Sequence, residues 1–240
     1  MSKLSTGGIE ERFFKNREEM TDALLSEITT RLTNAIGAGR RASFIASGGT
    51  TPIELYARLQ SADLDWSKLD LTFSDERWVP PMTDGSNEKL IRTWLLQDGA
   101  AAAQLFPLKT ADATARDAEA RVHRAISAIA RPFDVTLLGM GVDGHTASLY
   151  PHADGLAEAL DADHPALVRS IRPRNLAQAG ERMSLTLRAI LSSRLIVILI
   201  RGKGKMTALQ KAMAANDAMA MPVRAVLQQT TTPVQVFWAL

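Results

Sequence analysis

The feature that most constrains how this chain can fold is a repeated order of elements: a short aliphatic run, a loop rich in glycine or charge, then a helical pattern. Residues 42–46 read as a buried strand entering Ser47-Gly48-Gly49-Thr50-Thr51-Pro52. Pro52 suits the first turn of a helix that would carry Leu55, Tyr56 and Leu59. Residues 69–73 form the next strand and end at Ser74-Asp75-Glu76-Arg77-Trp78, read as a strand-end loop. A helix is expected from Ser86 or Asn87, using Leu90, Ile91, Trp94 and Leu95. Residues 133–138 run into Gly139-Met140-Gly141-Val142-Asp143-Gly144-His145, and residues 195–200 lead through Gly202 to a helix from about 205 to 215. Two more amphipathic helices are predicted. One follows Met20, Leu24, Ile28, Leu32 and Ile36 and stops at Gly37 and Gly39; the other lies within 111–130 on Val122, Ile126 and Ile129.

This alternation predicts an α/β fold, a mostly parallel sheet flanked by helices on both faces. In such sheets ligands bind beyond the carboxyl ends of the strands. The four informative loops, 47–52, 74–80, 139–146 and 201–205, all follow strands. No repeat, low-complexity stretch or Pro/Ser-rich linker divides the chain, so one domain over residues 1–240 is expected.

Composition narrows the chemistry. The absence of cysteine excludes disulfides, thiolate metal sites and a cysteine nucleophile. Histidines 123, 145, 152 and 164 lack a metal-ligand spacing, and neither H-E-x-x-H nor G-x-S-x-G occurs. The longest aliphatic run, 195–200, is too short to span a bilayer, and the N-terminus lacks the apolar core of a signal peptide. A cytoplasmic protein with no membrane partner is therefore expected. A formal charge of +2 with scattered basic residues argues against nucleic acid and leaves room for a small anion.

Each loop admits a specific chemistry. The glycines of 47–51 let backbone N–H groups approach a ligand, and the following helix N-terminus favours an anion such as phosphate; a tight turn with Ser and Thr caps is the plain alternative. Gly139-x-Gly141-x-x-Gly144 formally matches a dinucleotide fingerprint, but Pro151 cuts short the helix that the fingerprint should open. His145 is the better candidate: an imidazole on a glycine-rich loop can accept a proton near neutrality, and Asp143 can hold its tautomer. Arg77 offers a planar fork for an oxyanion or phosphate, with Arg182 and Lys205 as further phosphate candidates. The segment 202–206 is not a P-loop, because no Ser or Thr follows Lys205 and Leu199 stands where the first glycine would be.

Taken in order, Ser-Gly-Gly-Thr-Thr-Pro (47–52), Ser-Asp-Glu-Arg-Trp-Val-Pro (74–80), Ser86-Asn87, Leu-Leu-Gly-Met-Gly-Val-Asp-Gly-His-Thr-Ala-Ser-Leu-Tyr-Pro (137–151), Arg182-Met183-Ser184-Leu185 and Gly202-x-x-Lys205 resemble the glucosamine-6-phosphate isomerase/6-phosphogluconolactonase family. The stretch 137–151 is the most specific, and the resemblance runs from about residue 9 to 239. It implies a Rossmann-like fold shared with the glucosamine-6-phosphate isomerase/deaminases. Those follow the same Gly-x-Asp-Gly-His core with a Phe-Asn-Glu-Pro stretch, whose Glu assists ring opening. Here Tyr150 occupies that position, which favours the lactonase side of the family.

The implied reaction is hydrolysis of 6-phospho-D-glucono-1,5-lactone to 6-phosphogluconate, in the pentose phosphate pathway. His145 would be the general base, Asp143 its orienting group, and Arg77 the oxyanion donor together with a backbone N–H of 139–144. Ser47, Gly48, Gly49, Arg182 and Lys205 would hold the phosphate, with Thr50, Asp75 and Gly141 completing the substrate-binding set. No metal or organic cofactor is implied. The expected partner is a small sugar-phosphate lactone, bound by a monomer or homodimer. Two other readings stay open: an amino-sugar isomerase/deaminase, and a non-catalytic sugar-phosphate sensor on the same fold.

Overall fold

The computed structural model describes residues 3–6, 8–174 and 180–240. Its strands are β1 (Lys3–Thr6), β2 (Ile9–Phe13), β3 (Ala42–Ala46), β4 (Leu69–Phe73), β5 (Asp75–Arg77), β6 (Gln104–Leu105), β7 (Val135–Leu138), β8 (Val168–Ile171), β9 (Arg182–Leu185), β10 (Ile196–Arg201) and β11 (Val234–Ala239). Its α-helices are α1 (Arg17–Gly37), α2 (Ile53–Leu59), α3 (Asn87–Trp94), α4 (Ala115–Ser127), α5 (Leu156–Leu160), α6 (Leu187–Leu191), α7 (Gly202–Met213) and α8 (Val223–Leu227).

Eight strands form the main sheet in the order β1-β2-β11-β10-β7-β3-β4-β6. Every pairing is parallel except the β1–β2 hairpin. Strands β3, β4 and β7 are buried along their whole length, as parallel strands covered by helices on both faces must be. The α/β class read from the sequence is therefore the observed one.

Helix α1 begins where the Asn16 side chain accepts a hydrogen bond from the Glu19 N–H at 2.9 Å. It buries Met20, Leu24, Ile28, Leu32 and Ala35 on one stripe and packs on β3, β7 and β11. The order of the sheet reverses between β3 and β7: the chain goes from β3 outward to β4, and later returns to lay β7 on the opposite side of β3. Such a switch point opens a crevice at the carboxyl ends of the strands.

Three expectations need correction. Residues 75–77 are not loop but β5, which joins β9 and β8 in a separate antiparallel sheet ordered β5-β9-β8. Residues 202–205 are not loop either, because α7 starts at Gly202, so Lys205 stands in its first turn. Trp94 is 41% exposed and does not pack in the core with Ile91 and Leu95, because α3 ends there and the chain turns away. Among the described residues no helix is long and apolar enough to cross a membrane.

Candidate active site

A cleft of about 220 Å³ lies at the switch point, lined by the turns that follow β3, β7 and β10 and by the cleft face of β5 and β9. The β3 and β7 turns are tied together, with the Gly139 N–H donating to Ser47 Oγ at 3.2 Å. Tyr56, fully buried on α2, fixes the first of these turns. It accepts from the Ser47 N–H at 2.8 Å and donates to the Ser47 carbonyl at 2.7 Å. Burial raises its pKa well above the ordinary phenol value, so it remains a neutral donor and acceptor. Gly48 is required by close approach: a Cβ there would lie 2.1 Å from Asn87 Oδ1.

The β7 turn builds a hydrogen-bonded histidine–aspartate pair. The Gly141 N–H donates to the His145 carbonyl at 2.8 Å and the Gly144 N–H to the Gly141 carbonyl at 3.1 Å, so the turn folds back on itself. This brings His145 Nδ1 to 2.6 Å from Asp143 Oδ1, which also accepts the His145 N–H at 3.2 Å. We assign the Nδ1–H tautomer from that contact, which leaves Nε2 as the nitrogen able to take a proton. Burial disfavours the Asp143 anion, but the imidazole contact, its charge and the backbone N–H outweigh it. Together they hold the carboxyl at about 2. The Tyr150 ring packs 4.4 Å from the imidazole, and the Arg182 guanidinium sits 5.3 Å from the Tyr150 centroid.

The antiparallel sheet supplies charge. In β5, side chains alternate between faces, so Asp75 and Arg77 line the cleft while Glu76 points the other way. Register places Arg77 opposite Arg182 and Asp75 opposite Ser184. Arg77 donates to the Gly85 carbonyl. Asp75 accepts from Ser148 Oγ and from Ser74 Oγ, and its carbonyl accepts from Asn87 Nδ2 at 2.7 Å. Lys205, from the first turn of α7, donates to the Met140 carbonyl; burial lowers its pKa, partly countered by the Asp143 charge.

Eight of the expected site residues line one cleft: Ser47, Gly48, Gly49, Asp75, Arg77, His145, Arg182 and Lys205. Three do not. Asp143 lies behind His145. Thr50 is exposed outside the lining, where Thr51 and Pro52 stand instead. Gly141 makes room for the pair rather than forming the wall, since a Cβ there would sit 2.1 Å from His145 Nδ1 and 2.2 Å from Asp143 Oδ1. The backbone donors expected from 139–144 are also reduced, because the N–H groups of Gly139, Gly141 and Gly144 are already engaged.

Sequence reasoning missed two residues. Arg201 lines the cleft at the end of β10; it opens the 201–205 stretch read as an informative loop, but that reading gave a role to Lys205 alone. Glu76, buried completely, accepts from the N–H groups of Arg77 at 2.8 Å, Asn87 at 2.8 Å and Glu88 at 2.7 Å. It thus anchors the start of α3 and places Asn87 against Gly48 and Asp75. The Asp-Glu-Arg spelling concealed this, because alternate residues serve opposite faces.

These features define a class: an α/β protein whose cleft beyond the parallel strands is lined by Arg77, Arg182, Arg201 and Lys205 and holds an imidazole paired with an aspartate. Comparison with known proteins narrows the class. A family model described as glucosamine-6-phosphate isomerases/6-phosphogluconolactonase matches residues 15–238. The 6-phosphogluconolactonase of Rhizobium meliloti (strain 1021) is 40% identical over 227 residues, covering 94% of this chain and 97% of that protein. That of Mesorhizobium japonicum is 42% identical, covering 94% and 93%. The crystal structure of a 6-phosphogluconolactonase from Shewanella baltica OS155 superposes with a TM-score of 0.91 at 38% identity, covering 96% and 97%. The chain belongs to the glucosamine-6-phosphate isomerase/6-phosphogluconolactonase family.

Proposed function

We propose that the protein hydrolyses 6-phospho-D-glucono-1,5-lactone to 6-phosphogluconate, the lactone-opening step of the oxidative pentose phosphate pathway. The observation that carries this reading is the 2.6 Å contact between His145 Nδ1 and Asp143 inside a cleft lined by four cations, Arg77, Arg182, Arg201 and Lys205. Its relatives' shared name supports the same substrate.

In the proposed chemistry, a water bound in the cleft gives a proton to His145 Nε2 as its oxygen bonds to the lactone carbonyl carbon. Asp143 stabilises the imidazolium that forms and keeps the ring aligned. Arg77 offsets the charge on the tetrahedral oxyanion. Collapse breaks the bond to the ring oxygen, and His145 returns its proton there, giving the acid and a free hydroxyl. Ser47, Gly48, Gly49, Arg182 and Lys205 hold the phosphate. The Ser47 N–H is taken by Tyr56, so among the backbone groups of this turn the amides after it serve the ligand.

The isomerase/deaminase alternative needs a carboxylate five residues after the histidine. Tyr150 stands there, and among the described residues Asp75 is the one carboxylate lining the cleft, already held by Ser148. The test is hydrolysis of freshly made lactone with the spontaneous rate subtracted. His145→Ala is expected to lose about 10²–10⁴-fold in kcat. Turnover surviving in the variant would discard the base; ammonia release from glucosamine 6-phosphate in place of lactone hydrolysis would discard the substrate.

A further inference from the structure

Arg201 is the cleft cation that the proposed chemistry leaves without a task. It closes β10 and precedes α7, and it is half-buried at the wall shared with Leu199 and Lys205. Among the described residues its side chain makes no hydrogen bond or ion pair, and its Nε is sealed from solvent with no acceptor. Arg169, whose Nε is likewise sealed without an acceptor, still pairs with Glu119 through a terminal nitrogen, and Arg40, Arg41 and Arg194 pair with carboxylates as well. A buried guanidinium nitrogen without a partner costs free energy, so a structure that keeps one invites an anionic acceptor from outside the chain.

The local electrostatics point the same way. Helix α7 carries no acid in its first turn and instead opens with Lys203 and Lys205 behind Arg201. Cations at a helix N-terminus oppose the helix dipole, an arrangement that becomes favourable when an anion sits among them. Arg201 also makes no side-chain cap hydrogen bond to the helix, so it does not serve α7 itself.

We propose that Arg201 is a specificity-determining residue that grips the phosphate of the substrate from the β10 side, its planar fork complementing the single ammonium of Lys205. The inference rests on the lactonase reading for the identity of the anion. The Ser47–Gly49 turn lines the same cleft as Arg201, so the phosphate that the turn is proposed to hold lies in the cavity that Arg201 borders.

The test compares Arg201→Gln and Arg201→Lys with the wild type on two substrates, 6-phosphogluconolactone and unphosphorylated glucono-1,5-lactone. For the phosphorylated lactone, Arg201→Gln should raise KM about tenfold with a much smaller change in kcat, and Arg201→Lys should recover part of the loss. The ratio of kcat/KM between the two lactones should fall by about the same factor. Equal losses on both lactones, or an unchanged KM for the phosphorylated one, would overturn the proposal. Calorimetric titration with inorganic phosphate and with 6-phosphogluconate separates this failure from failure of the lactonase reading. Phosphate affinity that drops in Arg201→Gln sustains the anion site even without turnover, whereas phosphate affinity equal in both proteins refutes it.

Discussion

Replacing Gly141 by alanine tests whether the position of the His145–Asp143 pair governs turnover. A Cβ on residue 141 would fall 2.1 Å from His145 Nδ1, 2.2 Å from Asp143 Oδ1 and 2.4 Å from His145 Cε1. Ordinary contact begins near 3.4 Å, so the pair must retreat by about 1.3 Å or the turn must shift by as much. Retreat is obstructed: the Tyr150 ring stands 4.4 Å from the imidazole, and the His145 carbonyl is bound to the Gly141 N–H. A displacement near 1 Å at a reacting group costs about 10²-fold, so kcat should fall by that order. Overpacking of this kind costs about 1–3 kcal/mol of stability, too little to unfold a chain of ordinary stability. Steady-state kinetics on fresh lactone, beside thermal unfolding, separates the two effects. Gly37→Ala, at a position with open space around the missing Cβ and far from the cleft, controls for loss of a glycine as such. If Gly141→Ala folds and keeps kcat within about threefold of wild type, the pair tolerates displacement and the geometric reasoning is wrong.

Two further predictions follow from the same turns. Tyr56→Phe strands both the buried N–H and the carbonyl of Ser47, so denaturant unfolding should show a loss of about 2–4 kcal/mol with an unchanged m-value; a loss below about 0.5 kcal/mol would mean that water takes over both bonds. Asp143→Asn should lower kcat by about 10²-fold or more, because an amide does not stabilise the imidazolium. Asp143 is held at about 2, below its ordinary 3.8. Its contribution to stability is therefore complete above about pH 4 and fades as pH falls from there through 2, a loss the asparagine variant should lack. With 37% of its side chain exposed, screening limits that contribution to about 1 kcal/mol, measurable as the difference between the two acid-unfolding curves.

What was legible in the sequence follows from burial. Strands β3 and β4 match their expected limits because every residue in them is buried, so the aliphatic run and the strand coincide. Helix α1 was legible because its core stripe recurs at three- and four-residue steps over about four turns. Strand β9 was not, although it too is fully buried: its Arg-Met-Ser-Leu spelling alternates polar and apolar over only four residues, too short a run to stand out, and its polar positions are buried because Arg182 faces the cleft and Ser184 Oγ accepts from the Ser148 N–H. Strand β2, with Glu10, Glu11 and Arg12 only half-buried, reads as a charged surface segment, and only its place beside β11 makes it a strand. In β2 long-range pairing overrode the local pattern, and in β9 it buried polar positions that a lone strand would leave exposed.

The same override explains why the site was legible by residue but not by arrangement. Glycines, His145 and the basic residues announced themselves by type, and the strand–loop order put them at one end of the sheet. The charged run 75–77, taken as a loop, would send three side chains toward the ligand together. As a strand it must divide them, with Asp75 and Arg77 on the cleft face and Glu76 on the other. That division gives Glu76 its buried task at the start of α3, which no loop reading assigns. It also sets Arg77 directly across from Arg182, and like charges in such register repel. Arg182 already has partners within the chain, and in the proposed function a phosphate dianion would offset the charge of both arginines. In the proposed function the antiparallel strands would be the charged jaw of the cleft, and the parallel sheet, through the β7 turn, would supply the proton acceptor that works against it.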